Sequence, residues 1–383
     1  MAMSEIDFNV QNLLAEAREK AGLKDFGSDD FLPGLKQLLK TYQGNGFTEA
    51  AQKSLRRRTR DLLIARLNIE DSWKRHPEIF DLPITQPLFL TGLPRTGTSA
   101  LLNVMANDPA TRELKLWEAH NPWPMENLKP GEPDPRYVKI KKYYDDMNAN
   151  SDFKKIHYMT ADSAEECIFL TNHTFQDAQY GFELFLEPYA SFYTDVERRA
   201  QYQYHADLLR LIQWQRPADR WLLKTPSHVC HLDIIADLHP DSGMIVTHRN
   251  PLEVVGSYSS MMTAVMPERT HTDPEDLGRR VLELLGGQMD RCMETRKTID
   301  PKRIVDVQYV DFVGDTVAVV DSIYEHLSLP YPEEARSAIA TYVADHPRGK
   351  HGSHDYKLEE FGLSEQQVLD RFSNYIETFN IAV

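Results

Sequence analysis

The sequence predicts an α/β fold in which a parallel sheet is flanked by helices, and three observations lead to it. Short apolar runs alternate with helical segments, which is typical of parallel strands joined by helices. The apolar run at 88–93 passes through a glycine-containing turn into a helix, as in a P-loop-type unit. The 383 residues, 41% hydrophobic and 26% charged, are enough to bury a large core.

The predicted elements follow one another in a regular order. Residues 1–80 are largely polar with a helical stripe of leucines, so we expect a helical N-terminal extension before a main domain at 81–383. Strands are predicted at 88–93, 221–226, 244–248 and 303–307. The helices that follow them are predicted at 99–105, 228–238, 251–262 and 316–327. The aromatic-rich stretch of about 125–215 is less regular, and we expect a helical insertion that covers a substrate pocket.

Charge and cysteine content argue against several classes of protein. The formal net charge of −15 does not favour a nucleic-acid partner, because such partners are bound mainly through many Lys and Arg contacts to phosphate. Cys167, Cys230 and Cys292 include no CxxC pair, which argues against a disulfide framework or a cysteine-based zinc site. We find no signal-peptide pattern and no apolar run of roughly 18–20 residues, so a cytoplasmic protein without a membrane span is expected.

The loop between the first strand and its helix has the spacing of a phosphate-binding motif. Gly92 and Gly97 are placed as in a Walker A sequence, but Thr98 stands where the lysine is expected. Such a loop directs backbone N–H groups and a helix N-terminus at phosphate oxygens. Its positive charge lies instead at Arg95, which suits a donor shorter than a triphosphate. A glycine turn without a ligand is the alternative. The residues predicted to bind phosphate are Arg95, Thr96, Gly97, Thr98 and Ser99.

A second anion site is predicted at the end of the strand at 244–248. Arg249 follows this strand, and Ser257 lies well along the next helix. A guanidinium and a hydroxyl together suit an isolated phosphate monoester. Taken alone, the pair has a simpler interpretation, which is an arginine in a salt bridge at a strand end and an ordinary helical serine.

Together these two regions resemble the signature regions of sulfotransferases that use 3′-phosphoadenosine 5′-phosphosulfate (PAPS). The closest likeness is to a bacterial branch with L-P-R-T-G-T and L-K-[ST]-P-x-H motifs, here at 93–98 and 223–228, and it spans roughly residues 85–363. The resemblance implies that the loop holds the 5′-phosphosulfate and that Arg249 and Ser257 hold the 3′-phosphate. A late stretch looks like the branch's C-terminal nucleotide-contacting loop, with Arg348, Lys350, His351 and Gly352.

The resemblance implies in-line transfer of a sulfuryl group from PAPS to a hydroxyl, with 3′,5′-adenosine bisphosphate as the product. Positioning and electrostatic stabilisation then provide most of the catalysis. Because a sulfuryl group carries less charge than a phosphoryl group, we expect Lys and Arg to suffice without a metal. Arg95 occupies the place of a catalytic lysine in related cytosolic enzymes. Lys224, at a strand end where ligand sites gather, is expected to stabilise the sulfuryl group.

Three residues compete as the general base that takes the acceptor's proton. Glu118 is expected beside Trp117 near the end of a further strand, roughly 20 residues after the loop. It is favoured because protein-tyrosine and several bacterial sulfotransferases resemble this arrangement. His228 falls near the place of the histidine of many cytosolic members, and His120 follows Glu118 closely. The pair Glu165-Glu166 could also face the pocket, although paired acids on a helix are usually solvated.

Two other functions and the identity of the acceptor stay open. A P-loop kinase or NTPase needs a lysine at position 98 and an aspartate closing an apolar strand, and the sequence has neither. A catalytically inactive nucleotide-binding protein would be expected to lack Arg95 or Lys224, yet both are present. The aromatic-rich insertion favours a small, apolar hydroxylated acceptor over a polysaccharide. The N-terminal extension could form the contact of a homodimer.

Overall fold

The structure is a computed structural model that describes residues 6–126, 128–129, 131–150, 158–176, 185–217, 219–266, 268, 273–346 and 357–383. Its sheet contains the strands β1 (Leu88–Gly92), β2 (Thr111–Glu113), β3 (Arg220–Lys224), β4 (Gly243–His248) and β5 (Ile304–Gln308). The helices are α1 (Val10–Ala21), α2 (Leu32–Gly44), α3 (Glu49–Arg75), α4 (Thr98–Met105), α5 (Leu116–His120), α6 (Pro135–Asn150), α7 (Ile168–Thr171), α8 (Tyr189–Asp195), α9 (Arg199–Gln215), α10 (Leu232–Leu238), α11 (Pro251–Val265), α12 (Pro274–Thr295), α13 (Tyr309–Gly314), α14 (Thr316–His326), α15 (Glu333–Asp345), α16 (Glu365–Arg371) and α17 (Ser373–Phe379).

The five strands form one parallel sheet in the order β2-β3-β1-β4-β5. This confirms the predicted α/β fold with a P-loop-type strand, loop and helix at β1 and α4. Since β1 lies between β3 and β4, the loop after β1 meets the carboxyl ends of both neighbouring strands. The sheet order therefore brings three of the predicted site segments to one edge.

Both faces of the sheet are buried, and the side chains of β1 show why its sequence begins with three apolar residues. Leu88 and Leu90 pack on one face with helices α4 and α14, whereas Phe89 points to the other face with α9 and α12. Successive residues of a strand alternate between faces, so a strand covered by helices on both sides has no solvent-facing position. All five residues of β1 are accordingly buried.

Helices α1 to α3 precede the sheet and pack around an apolar cluster of their own. Leu13, Leu35 and Tyr42 belong to this cluster, and Tyr189 of α8 joins it from the 125–215 region. The apolar cluster around Phe89, α9 and α12 is called the main core below. Helix α3 contributes Trp73 to it, so α3 contacts both apolar clusters. The division into an extension and a main domain stays a prediction, as does the homodimer contact.

Helices α6 to α9 occupy the 125–215 region between β2 and β3. Its predicted role as a cover over a substrate pocket stays a prediction. The helices of the described ranges fall short of the combined length and hydropathy that a bilayer-crossing segment requires.

Two local predictions differ from the structure. The segment predicted as one helix at 228–238 is a 3-10 turn, Pro226–Cys230, followed by α10. Pro226 can begin a helical turn because its missing N–H would be unpaired there in any case. Glu118 was expected near the end of a strand, but it lies on the short helix α5, after β2 has ended at Glu113.

Candidate active site

The loop after β1 is shaped by backbone conformations that favour glycine. Gly92 has φ 141° and lies so close to β4 that a Cβ atom there would be 2.4 Å from Thr247 Oγ1. Gly97, at φ 92°, is the residue before α4, which starts at Thr98. Glycine adopts positive φ without the steric cost that a side chain brings. The loop therefore leads directly into a helix N-terminus, where unpaired N–H groups attract anions.

Two threonines fasten this loop to its neighbouring strands. The hydroxyl of Thr96 donates to Leu93 O at 2.6 Å and lies 2.6 Å from Thr247 Oγ1 on β4. Thr91 Oγ1, at the end of β1, donates to Thr225 O at 2.9 Å, just beyond β3. Both threonines are buried, so the hydrogen bonds are shielded from water. The loop is consequently held rigidly in place before any ligand binds.

The two predicted phosphate-binding regions contact each other at the carboxyl ends of β1 and β4. Arg95 Nε donates to Ser257 Oγ at 3.0 Å, although the residues are 162 positions apart in sequence. Arg249 Nη1 donates to Arg95 O at 2.8 Å, which ties the second region to the loop backbone. Arg95 is exposed and both of its partners are half-buried. The structure thus brings Arg95, Arg249 and Ser257 together.

Arg249 is positioned from several directions. Its guanidinium lies 4.2 Å from the ring centre of Tyr309, a cation–π distance. Arg249 Nε donates to Glu253 Oε2 at 2.7 Å within α11, and its backbone N–H donates to Tyr375 Oη at 3.2 Å. Because Glu253 is an exposed surface residue, an anionic ligand can compete with it for the guanidinium.

Lys224 ends β3 beside the same loop and is almost fully buried. Its ammonium donates to Ser99 Oγ at 3.1 Å and to Glu166 Oε1 at 2.7 Å. The second oxygen of Glu166 accepts from Thr225 Oγ1 at 3.2 Å. The Lys224 side chain is 1% exposed, but that of Glu166 is 24% exposed. A carboxylate that solvent reaches therefore lies next to a buried cation and to the first turn of α4.

Glu118, the favoured candidate base, lies in a different environment. Its Oε1 accepts from Arg112 Nη2 at 2.6 Å and lies 3.5 Å from Arg216 Nε, and its side chain is 5% exposed. Its Oε2 accepts from the Lys115 backbone N–H at 3.4 Å. Burial lowers the pKa of Arg112 to about 10, and the neighbouring Glu118 charge offsets part of that effect. Among the described residues, the contacts of Glu118 join β2, α5 and the end of α9, and none of them is with the loop 93–99.

The two candidate histidines are both enclosed. His228 is fully buried, and its Nδ1 lies 2.9 Å from Tyr202 Oη. His120 Nε2 lies 2.9 Å from Tyr144 Oη, and burial lowers the pKa of His120 to about 3. An imidazole with so low a pKa accepts a proton poorly at neutral pH. The other predicted contacts, Arg348, Lys350, His351 and Gly352, lie outside the described residues.

The sequence comparison assigns the family. A sequence model described as Sulfotransferase family matches residues 87–333, which is more than half of the chain. The chain belongs to the sulfotransferase family. Stf3 of Mycobacterium bovis, named an omega-hydroxy-beta-dihydromenaquinone-9 sulfotransferase, is 24% identical over 190 residues, or 47% of this chain and 49% of that protein. The chain spans about half the length of the curated relatives it matches.

Two solved sulfotransferase structures resemble this one along nearly their whole length. Sulfotransferase STF1 from Mycobacterium tuberculosis H37Rv is 30% identical with a TM-score of 0.84, and the match covers 96% of this chain and 98% of that one. STF9 from Mycobacterium avium is 26% identical with a TM-score of 0.88, and the match covers 99% of each chain. The resemblance to this family that the motifs suggested is thereby confirmed.

Glu166 is the functional candidate that sequence reasoning passed over. It was weighed only as one of a pair of helical acids, whereas it precedes α7 and faces Lys224. Its position follows from a long-range contact. The backbone N–H of the next residue, Cys167, donates to Lys224 O at 2.8 Å, so the segment runs beside the end of β3. Such long-range pairing has no local pattern in the sequence.

Proposed function

We propose that this chain transfers a sulfuryl group from PAPS to the hydroxyl of a small, apolar acceptor. The observation that carries the proposal is the meeting of the two phosphate motifs at Arg95, Ser257 and Arg249, with Lys224 beside the same helix N-terminus. A bisphosphorylated nucleotide needs two separate anion sites, whereas a triphosphate needs one continuous site. The donor therefore suits this edge better than ATP does.

The two ends of the donor are assigned to different parts of the edge. The loop 93–99 and the first turn of α4 would bind the 5′-phosphosulfate through backbone N–H groups and the Thr98 and Ser99 hydroxyls. Arg249 and Ser257 would bind the 3′-phosphate, for which a guanidinium and a hydroxyl are suitable donors. Arg95 lies between these two groups, so its charge can serve either phosphate.

The reaction needs a base next to the acceptor hydroxyl and a cation next to the oxygen that leaves sulfur. The acceptor oxygen attacks sulfur as the bond from sulfur to the 5′-phosphate oxygen breaks, and the acceptor's proton moves to the Glu166 carboxylate. Lys224 stabilises the charge that develops on the departing oxygen, because a buried cation acts strongly in a site of low dielectric. Its present contact with Ser99 places it within reach of the donor loop. In this proposal the transfer needs no metal.

Glu166 is preferred over Glu118 as the base on grounds of access. An acceptor hydroxyl must come within hydrogen-bond distance of the base. The Glu166 side chain is 24% exposed next to Lys224, while Glu118 is 5% exposed and is held in an ion pair with Arg112. Glu118 then has a structural role, which is to join β2 and α5.

The acceptor is proposed to be a lipid-like or aromatic alcohol. The name of Stf3 describes an acceptor with an apolar menaquinone body and a terminal hydroxyl. The 125–215 region of the present chain adds several aromatic side chains to the main core, among them Tyr144, Phe169 and Phe185. These side chains are buried in the core, so the support for an apolar acceptor is the name of Stf3.

Transfer of labelled sulfate tests the proposal. We would incubate the full chain with sulfur-35 PAPS and a panel of long-chain alcohols, phenols and hydroxylated quinones, without added metal. The expected result is labelled sulfate ester and an equal amount of 3′,5′-adenosine bisphosphate with at least one acceptor. Release of phosphate from ATP with Mg²⁺, together with no transfer from PAPS, would support the NTPase alternative instead.

A further inference from the structure

A buried cluster of Cys167, His205 and His228 lies beneath the proposed active site. One ligand-type atom of each residue lies within 4.8 Å of the other two. Cys167 precedes α7, His205 lies on α9, and His228 lies in the 3-10 turn after β3. These side chains are 0%, 1% and 0% exposed, respectively. The fold therefore brings a thiol and two imidazoles together in a dry interior.

Three of the four imidazole nitrogens of this cluster have no hydrogen-bond partner among the described residues. Within the described residues, neither nitrogen of His205 has a hydrogen-bond partner, and neither does Nε2 of His228. A buried polar atom left unsatisfied costs about 1–3 kcal/mol. The surroundings offer little compensation, since the ring of Phe89 packs at 5.2 Å from His228 and at 6.5 Å from His205. The described part of the chain supplies no partner for these nitrogens.

Both histidines offer ring nitrogens that have no hydrogen-bond partner among the described residues. A neutral imidazole has a lone pair available for a cation. His228 Nδ1 lies 2.9 Å from Tyr202 Oη, which leaves Nε2 for coordination. Histidine ligands in metal sites usually engage their other nitrogen in such a hydrogen bond.

We propose that Cys167, His205 and His228 bind one thiophilic metal ion, either Zn(II) or Cu(I), as a structural site. One thiolate and two imidazoles suit both ions. Cu(I) with a thiolate would be neutral overall and complete with three ligands, whereas Zn(II) would need a fourth ligand, such as water. Binding releases the thiol proton of Cys167 to solvent, and no electron is transferred.

The position of this cluster suggests what the metal would do. Cys167 directly follows Glu166, and its backbone N–H donates to Lys224 O at 2.8 Å. His228 lies in the turn that begins just after Lys224 and Thr225. A metal bound by Cys167 and His228 would therefore fasten together the two segments that carry Glu166 and Lys224. His205 would attach both segments to α9.

This proposal revises one expectation from the sequence. No cysteine-based zinc site was expected, because there is no CxxC pair. The three residues are far apart in sequence and become neighbours only through the packing of α9 against β3 and α7. The metal proposed here is structural and lies beneath the reacting groups, so transfer without a catalytic metal is unaffected.

Metal analysis of the purified full chain tests the proposal. The protein would be produced in media supplemented with zinc or with copper and purified without a metal-affinity tag. We expect about one zinc or one copper ion per wild-type chain, and the supplement that fills the site identifies the ion. Cys167→Ser and His205→Gln should lose the ion. Cys292→Ser, which changes another buried cysteine in the main core, should keep it.

A second measurement keeps the test valid if a variant folds poorly. Cobalt(II) added to metal-free wild-type chain should give the intense thiolate-to-cobalt absorption band, and Cys292→Ser should give the same band. A wild-type chain that carries neither zinc nor copper and gives no such band would overturn the proposal. Full metal content in Cys167→Ser and His205→Gln would overturn it as well. Neither result depends on sulfotransferase activity, so failure of the proposed function would be seen separately.

Discussion

At the scale of single residues, the environment of Lys224 decides how the proposed site works. An ammonium group that is 99% removed from solvent is costly unless acceptors surround it, and Lys224 has Ser99 and Glu166. If PAPS displaces Ser99 or Glu166 from Lys224, one of its sulfuryl or phosphate oxygens would accept the hydrogen bond instead. The charge is therefore prepared in place before the donor arrives, which is what electrostatic catalysis requires.

Glu166→Gln should lower turnover strongly while the donor still binds. Gln keeps one oxygen that can accept from Lys224, and its NH2 group can donate to Thr225 Oγ1, but it cannot take a proton at neutral pH. We expect kcat to fall about a hundredfold to ten-thousandfold, the usual contribution of a general base. The Kd for 3′,5′-adenosine bisphosphate, measured by calorimetry, should change little. A kcat close to that of the wild type would remove Glu166 from the mechanism.

Glu118→Gln should affect stability more than chemistry. Breaking the buried ion pair with Arg112 leaves a buried guanidinium unpaired, at a cost of about 3–5 kcal/mol in the free energy of unfolding. Removing both charges in an Arg112→Met/Glu118→Met variant should cost less, so this variant is the folding control. Both variants should keep the kcat of the folded fraction. A loss of kcat as large as that of Glu166→Gln, with unchanged stability, would restore Glu118 as the base.

Arg249→Ala should weaken the donor without altering the fold. The loss of a charged hydrogen bond to phosphate, worth about 1.5–3 kcal/mol, corresponds to roughly a tenfold to hundredfold rise in Kd for 3′,5′-adenosine bisphosphate. Arg279→Ala is the matched control, because Arg279 is 62% exposed on α12 and pairs only with Asp276 in the described chain. Equal Kd values for both variants would exclude Arg249 from the nucleotide site.

At the scale of elements, a side-chain ion-pair cluster around Asp306 holds β4 and β5 together just before Arg249. We call this cluster the clamp. Asp306 on β5 accepts from His248 Nε2 at 2.8 Å and from two nitrogens of Arg296 at 2.9 and 2.7 Å. Burial of Asp306 would raise its pKa, but the hydrogen bonds and charges of His248 and Arg296 outweigh it and lower the pKa to about 2. The clamp consequently fixes the strand end from which Arg249 projects.

Asp306→Asn should destabilise the protein in a pH-dependent way. Because the folded pKa of Asp306 lies below its ordinary value of 3.8, its stabilisation is complete above that value and is lost as the pH falls toward about 2. Urea unfolding should therefore show a lower free energy of unfolding for the variant at pH 7, and the difference should shrink below about pH 4. Asp237→Asn, which breaks an exposed pair with Arg199, should show almost no difference. A constant difference at all pH values would contradict the clamp.

Elements with strong local patterns could be predicted, and those made by long-range packing could not. β1, α4, β4 and α11 were predicted because an apolar run, a glycine loop and a proline at a first helical position mark them directly. β2 has only three residues, too few to show a pattern, so Glu118 was misplaced. The segment that carries Glu166 is located by hydrogen bonds from Leu116 N to Ser163 O and from Cys167 N to Lys224 O. No sequence period encodes such contacts.

At the scale of the whole molecule, five buried or half-buried histidines are kept in the neutral form. Burial lowers their pKa values from 6.5 to about 3 for His120, His205 and His231, and to about 4 for His173 and His239. The unfolded chain binds protons at these positions below about pH 6.5, but the folded chain does not. By linkage, the contribution of these histidines to the free energy of unfolding is complete above that pH and is lost as the pH falls toward 3 to 4.

We expect the midpoint of thermal unfolding to fall steadily from about pH 6.5 downward, well before most carboxylates titrate. Differential scanning calorimetry between pH 8 and pH 4 measures this dependence. His173→Gln should flatten the profile, because it removes a buried imidazole whose Nε2 lies 3.4 Å from Ala119 O. His326→Gln, at an exposed position, should leave the profile unchanged. A midpoint that is constant from pH 7 to pH 5 would contradict the neutral burial of these histidines.

The assignment of PAPS as the donor depends on all the site segments at the carboxyl ends of β1, β3 and β4. Calorimetric titration of the full chain tests this assignment most directly. We would compare 3′,5′-adenosine bisphosphate without metal against ATP with and without Mg²⁺. A loop that has threonine in place of the Walker lysine, with Arg249 and Ser257 adjoining it, predicts tight binding of the bisphosphate without Mg²⁺ and weak binding of ATP. Tighter, Mg²⁺-dependent binding of ATP would contradict the sulfotransferase interpretation and favour a P-loop kinase or NTPase.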